Sequence, residues 1–218
     1  MSPTKDMIAS ILIPTMPGRL EKFTNLFNEL HRQLAYMQTF HPTLGQIEIV
    51  IDDSKRFLDG GLSIGKKREA LVQRAEGKYC WFLDDDETIA PNYLETLVRL
   101  CCRNEDVCTF RAIGKFDNYW AVYDMSLFNT WNEPSTPDKT VVRQPWHQCP
   151  VKTEYAKLYS FPDTSYGEDW EWMEQVLKHC KSEAHTDAIL LQYNHGKHSE
   201  ADKITNHVQS ESGGETHS

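Results

Sequence analysis

The chain has 218 residues, of which 25% are charged and 39% hydrophobic, the balance of a globular domain long enough to bury its own core. Its formal net charge of −9 excludes broad electrostatic attraction to nucleic acid or to an anionic membrane surface, and leaves room only for a local basic groove. No run reaches the length of a transmembrane helix and the start lacks the apolar stretch of a signal peptide, so a cytoplasmic protein is expected.

Residues 7–14 are apolar and end at Pro14, which predicts a buried first strand. Thr15 to Arg19 form a loop. Leu20, Phe23, Leu26, Phe27, Leu30 and Leu34 then recur at helical spacing, predicting an amphipathic helix over 20–38. His41, Pro42 and Gly45 break it, and residues 47–51 read as a second strand ending in Asp52-Asp53-Ser54. Strand, helix and strand make a βαβ unit, with Thr15 and Arg19 after one strand and Asp52 and Asp53 after the other. Residues 55–61 are a loop, and Ser63 is placed to cap a helix whose Ile64, Leu71 and Ala75 face inward. Its first turns carry Lys66, Lys67 and Arg68. These read either as a solvated basic face or, with the helix start, as a clamp on a diphosphate.

The centre of the sequence is 79–83, a fully apolar strand that runs straight into Asp84-Asp85-Asp86. Strands of that kind belong to covered parallel sheets, whose ligands sit beyond the carboxyl ends of the strands. Three adjacent carboxylates repel one another unless a cation neutralises them, and a hard divalent ion shared with phosphate suits their oxygens. A solvated acidic turn is the plainer alternative. Pro91 with Tyr93, Leu94, Leu97 and Leu100 predicts another helix, and 106–112 a strand. From 116 to 160 periodicity is poor and aromatics are dense: Tyr119, Trp120, Tyr123, Phe128, Trp131 and Trp146. A surface loop over 132–138 and a strand over 141–152 are expected, in an antiparallel, loop-rich region suited to an acceptor, with one or two of the six aromatics facing it. Gly167-Glu168-Asp169-Trp170 opens a further helix, in which a carboxylate either serves as general base or merely complements the helix dipole. The last strand, 188–193, leads to His195 and His198, either of which could offer an imidazole to a metal, and 209–218 read as a disordered tail. The six cysteines, at 80, 101, 102, 108, 149 and 180, show neither zinc nor disulfide spacing, so reduced, packed thiols are expected.

These motifs together resemble the family 2 glycosyltransferases with a GT-A fold. The resemblance is carried by Ile11-Leu12-Ile13-Pro14-Thr15, by Ile49-Val50-Ile51-Asp52-Asp53-Ser54, by the run from Gly65-Lys66-Lys67-Arg68 through Phe82-Leu83-Asp84-Asp85-Asp86, and by Glu168-Asp169. It covers about residues 7–100 well, 165–200 thinly, and little between. It implies an α/β fold: a Rossmann-like, mixed and mostly parallel sheet flanked by helices, with a smaller antiparallel acceptor-side region. One domain over 1–208 is then expected, with a nucleotide-sugar half over 1–105 and an acceptor half over 106–208. It further implies a metal-dependent, inverting transfer from a UDP-sugar, UDP-glucose being the default donor. Pro14, Thr15 and Arg19 would line the nucleotide, Asp53 would accept from the uracil imide, and Lys67 and Arg68 would meet the diphosphate. Asp84 and Asp85 would lie near the ribose or donor sugar. Mn²⁺ or Mg²⁺ would rest on Asp86, with Asp84 and one of His195 and His198. Asp169 would be the base and Glu168 its neighbour in a positioning role. One departure stands out: Arg68-Glu69 replaces the Arg-Asn often found there.

Two other classes remain open at this point. A nucleotidyltransferase would need a Gly-rich basic loop straight after the first strand, where only Gly18 and Arg19 stand. A non-catalytic nucleotide-sugar-binding module is the other. The acceptor is open between a glycan, a small molecule, a lipid-linked glycan and a modified nucleobase, the last opposed by the acidic charge.

Overall fold

Ile11, Leu12 and Ile13 are all fully buried, which happens only when a strand has neighbours on both edges and cover on both faces. They belong to β1 (Met7–Pro14), which pairs in parallel with β2 (Gln46–Asp52) on one side and with β3 (Tyr79–Phe82) on the other. The coordinates are a computed structural model, which describes residues 6–55, 60–115, 120–130 and 140–194. Tyr119, Trp131, the loop over 132–138, His195, His198 and the tail lie outside the described residues.

The sheet runs in the order β2-β1-β3-β8-β5-β6-β7. The outer strands are β5 (Val107–Lys115), β6 (Trp120–Met125), β7 (Val141–Arg143) and β8 (Val151–Lys152). A long β9 (Glu183–Asn194) pairs in parallel with β5 and antiparallel with the short β4 (Thr88–Ile89). The long β1–β2 and β5–β9 ladders are parallel, and β5–β6 is an antiparallel pair in the second half of the chain, where antiparallel strands are expected from the sequence.

Helix α1 (Leu20–Phe40) packs with α3 (Tyr93–Cys101), and α2 (Ile64–Arg74) with α5 (Glu168–Leu177). Buried Gln33 joins the first pair: its amide donates to Ala90 O at 2.8 Å and accepts from Leu94 N at 2.9 Å. Trp81 in β3 donates its indole N–H to Tyr93 at 2.9 Å, so the central strand is tied to α3 as well. Among the described residues no helix is long and apolar enough to cross a membrane.

The strand expected over 141–152 is broken. β7 ends at Arg143 and β8 starts at Val151, with a short α4 (Thr153–Ala156) directly after it. Pro145 and Pro150 explain the break, because neither has an N–H to give to a ladder. The intervening turn instead crosses the end of β3, where Phe82 N donates to His147 O at 2.9 Å. That crossing carries His147 and Gln148 to the site described next.

Candidate active site at the carboxyl ends of β1 and β3

The three aspartates after β3 point in different directions. Asp85 is almost fully buried and turns back to β1, where Thr15 Oγ1 donates to it at 2.6 Å and Arg19 Nη2 pairs with it at 2.7 Å. Asp86 is more than a third exposed; the same Arg19 nitrogen lies 2.6 Å away and Lys22 Nζ 3.6 Å. Asp84 faces the opposite way, towards α2 and the 144–150 turn. Arg68 Nη2 lies 3.0 Å from it and His147 Nε2 3.6 Å.

Those two cations bridge to α5. Arg68 Nε is 3.2 Å from Glu168, and His147 Nδ1 is 2.8 Å from Asp169. Two separate links thus join the tip of the central strand to the acidic start of a helix far along the chain. Helix α5 begins there because Gly167 adopts a left-handed φ of +78°, a turn that side chains resist. Its N-terminal dipole suits both carboxylates.

Burial dominates the electrostatics. It opposes ionisation of Asp84 and Asp169, yet Arg68 and His147 overcome it and hold both carboxyls well below the usual carboxylate range. For Arg68 burial is likewise outweighed, by Asp84 and Glu168, and its guanidinium is the more firmly protonated. Burial raises Glu168, with Arg68 only partly offsetting it. Burial and Arg68 oppose charge on His147, but Asp169 and Asp84 win and raise it above an ordinary imidazole. Glu87, beneath the loop, is pushed well up by burial and by Asp84 and Asp86; it accepts from Asp84 N at 3.3 Å and from the Gln148 amide.

The structure places Pro14 and Thr15 at the end of β1, with Thr15 N donating to Asp52 O at 2.8 Å. Asp53 is exposed just past β2. Lys67 is buried, its ammonium donating to Thr15 O at 3.0 Å and to Ser54 O, so it laces the ends of β1 and β2 together. At the start of α2, the backbone N–H groups of the expected diphosphate clamp are engaged within the chain: Ile64 by Ser165 Oγ, Gly65 by Thr164 O, Lys66 by Ser63 Oγ and Lys67 by Ser63 O. The first two partners come from a loop about a hundred residues away, which local sequence does not announce. Arg68 Nη1, by contrast, is buried without a hydrogen-bond partner among the described residues.

His147, Gln148 and Glu87 were not among the expected site residues. The two prolines bracketing 146–149 were the available sign that this stretch is a turn rather than a strand. As for a metal, no group of three or more His, Cys, Asp or Glu is gathered around one point among the described residues. Magnesium-type ions are commonly held by one or two carboxylates, with phosphate and water completing the shell. Asp86, partly exposed at the strand end with hard oxygen donors, fits that chemistry.

The parallel core sheet and an acidic strand tip facing an acidic helix start set the chain among α/β proteins with a site at the strands' carboxyl ends. The profile of glycosyl transferase family 2 matches residues 56–165, half of the chain, and the chain belongs to that family. The matched span holds Lys67, Arg68, the three aspartates and His147; Asp169 lies just beyond it.

Solved structures of similar fold include S. aureus TarS 1–349, 16% identical with a TM-score of 0.57, covering 86% of this chain and 60% of that one. The same TarS fragment in complex with UDP-GlcNAc is 14% identical with a TM-score of 0.58, covering 90% and 61%; its complex with UDP is 16% identical with a TM-score of 0.58, covering 87% and 61%. The chain therefore spans about 60% of the length of those TarS 1–349 chains. At such identities the likeness is one of fold, the GT-A type of mixed sheet flanked by helices. No curated protein sequence matches the chain.

Proposed function

We propose that the protein transfers a sugar from a UDP-sugar to an acceptor hydroxyl with inversion at the anomeric carbon. The observation that carries this reading is the pair of bridges from Asp84 through Arg68 and His147 to Glu168 and Asp169. They bring a cationic, partly unsatisfied guanidinium and an ionised carboxylate to one end of the sheet, as a displacement of diphosphate requires. Family membership and a fold shared with a protein solved with UDP and UDP-GlcNAc favour this donor class.

In this reading the nucleotide lies against Pro14, Thr15, Arg19 and Asp53, with Lys67 holding the Thr15 and Ser54 loops in place. Arg68, through its unsatisfied Nη1, meets the diphosphate. The acceptor oxygen attacks the anomeric carbon as its proton passes to Asp169. The carbon–oxygen bond to the diphosphate breaks, and the electron pair leaves with UDP. A carboxylate held low is ionised and ready to accept, but weakly basic. The negative charge of a diphosphate bound beside Arg68 opposes that lowering, while His147, its largest cause, stays in place. Mn²⁺ or Mg²⁺, when bound, would supply charge stabilisation to the departing diphosphate, with Asp86 as its ligand at the strand tip; Asp84, the second ligand expected from the sequence, is turned away to Arg68 and His147. Either His195 or His198 would complete that set.

The test is titration calorimetry with UDP and MnCl₂, followed by UDP-release assays with UDP-glucose and UDP-GlcNAc. Asp169→Asn is expected to keep UDP affinity within about twofold and to lower turnover by at least about a hundredfold. A variant that turns over normally removes Asp169 as the base.

A further inference from the structure

Glu69 stands where the family resemblance leads one to expect asparagine, and the function above leaves it unused. Its Oε2 accepts the Phe161 N–H at 2.7 Å, across 92 residues of sequence. This is one of a row of contacts between α2 and the segment that leads into α5. Ser63 Oγ donates to Asp163 at 2.6 Å, Gly65 N to Thr164 O at 3.0 Å, and Ile64 N to Ser165 Oγ at 3.3 Å. A Cβ on Gly65 would stand 1.9 Å from Pro162 O, so the two backbones touch. One turn further along α2, Arg68 reaches Glu168 itself. The Phe161 ring is stacked on Trp172 of α5 at 4.6 Å and meets Phe82 of β3 edge-on at 5.6 Å.

We propose that Glu69 is a positioning residue, which fixes the 161–167 segment to α2 and thereby sets where the Asp169 carboxylate stands relative to Arg68. This rests on the transferase reading for its consequence, though not for its geometry. Arg68 and the anchor for Phe161 are adjacent residues on one helix. The group proposed to hold the diphosphate and the support for the base therefore move as one body. Glu69 touches neither donor nor acceptor in this account; it acts through the Phe161 backbone. A small displacement of a base that must lie within hydrogen-bond reach of the acceptor costs turnover steeply, while leaving donor binding intact.

The experiment compares wild type, Glu69→Ala and Glu69→Gln by amide hydrogen exchange, UDP calorimetry and UDP release from the better of UDP-glucose and UDP-GlcNAc. The glutamine variant retains an oxygen for the Phe161 N–H, and the side chain of Gln73, 3.2 Å from the present carboxylate, can turn its amide to accept the new NH₂. Glu69→Ala is expected to speed exchange over 161–169 at least about tenfold with β1 and β3 unchanged. It should keep the UDP Kd within about twofold and lower kcat at least about tenfold, with KM for the donor little altered. Glu69→Gln is expected to restore both exchange and kcat to within about threefold of wild type. Unchanged exchange in Glu69→Ala overturns the anchor, and faster exchange with wild-type kcat overturns the positioning role. Equal defects in both variants also overturn it, since they would trace the effect to charge. Asp169→Asn, run alongside, separates these outcomes from failure of the transferase reading, because the exchange arm does not depend on what reaction is catalysed.

Discussion

His147 is the residue on which the site's electrostatics turn. It is a buried imidazole between two carboxylates, with Asp169 at 2.8 Å and Asp84 at 3.6 Å. Without it and Arg68, the acidic groups around the tip of β3 would face one another in a dry environment, which burial would answer by protonating them. Another carboxylate shows the same competition at the start of β5, at the amino end of that strand. Burial works to raise Asp106, but Lys152 Nζ at 2.7 Å, Lys181 N at 2.8 Å and Ser182 N at 3.2 Å hold it down at about 2. A carboxyl lower in the folded chain than its ordinary ~3.9 stabilises fully above pH ~4, and that contribution fades as pH falls towards 2. Asp106→Asn is therefore expected to lose about 1 kcal/mol at pH 7, allowing for solvent screening at this position. The gap from wild type should close between about pH 4 and pH 2. Urea unfolding at pH 7, 4 and 2.5 reads it; a gap that stays constant with pH would mean that ionisation of Asp106 is irrelevant to stability.

Among the elements, α2 carries the most varied duties. Its inner face packs Leu71 and Val72 into the core, Lys67 laces two strand ends, Arg68 enters the site, and its first turn is clasped by the 161–167 segment. The clasp depends on a position without a side chain. In most helices Gly→Ala stabilises by about 0.5–1 kcal/mol. At position 65 the added carbon would meet a backbone oxygen at 1.9 Å, which only a separation of the two segments can relieve. Gly65→Ala is expected to destabilise by about 2 kcal/mol and lower Tm by roughly 5 °C. Calorimetry that finds the variant more stable than wild type would show that the two backbones do not meet there.

At the scale of the whole molecule, the sheet gathers residues from five distant segments at one end: Thr15 and Arg19, Lys67 and Arg68, the three aspartates, His147, and Glu168 with Asp169. Ligand binding there is expected to stabilise the entire domain, by about 2.7 kcal/mol at a hundredfold excess over Kd. In thermal unfolding, UDP with MnCl₂ should raise Tm more than UDP alone, and Asp86→Ala should erase the manganese-dependent increment. An increment that survives the substitution would place the cation away from Asp86.

Much of this architecture is legible in local pattern. The strands of 7–14 and 79–82 announce themselves because strands buried on both faces must be apolar throughout, the partly buried edge strand 46–52 by its run of β-branched residues, and the helices because one buried stripe recurs every turn. Asp84-Asp85-Asp86 and Glu168-Asp169 are visible for a related reason: charge directly after an apolar strand, or at a helix start, is a local anomaly. What the residues alone determined is thus the α/β fold, the end of the sheet where three carboxylates cluster and the acidic helix start that faces them. Tertiary structure alone decided which cation neutralises which carboxylate. It sends Arg19 to Asp85 and Asp86 but Arg68 and His147 to Asp84, and it consumes the start of α2 in holding a distant loop. Ion pairs and anchors of this kind join positions tens of residues apart and leave no period in the sequence, because their partners are chosen by proximity after the sheet has formed.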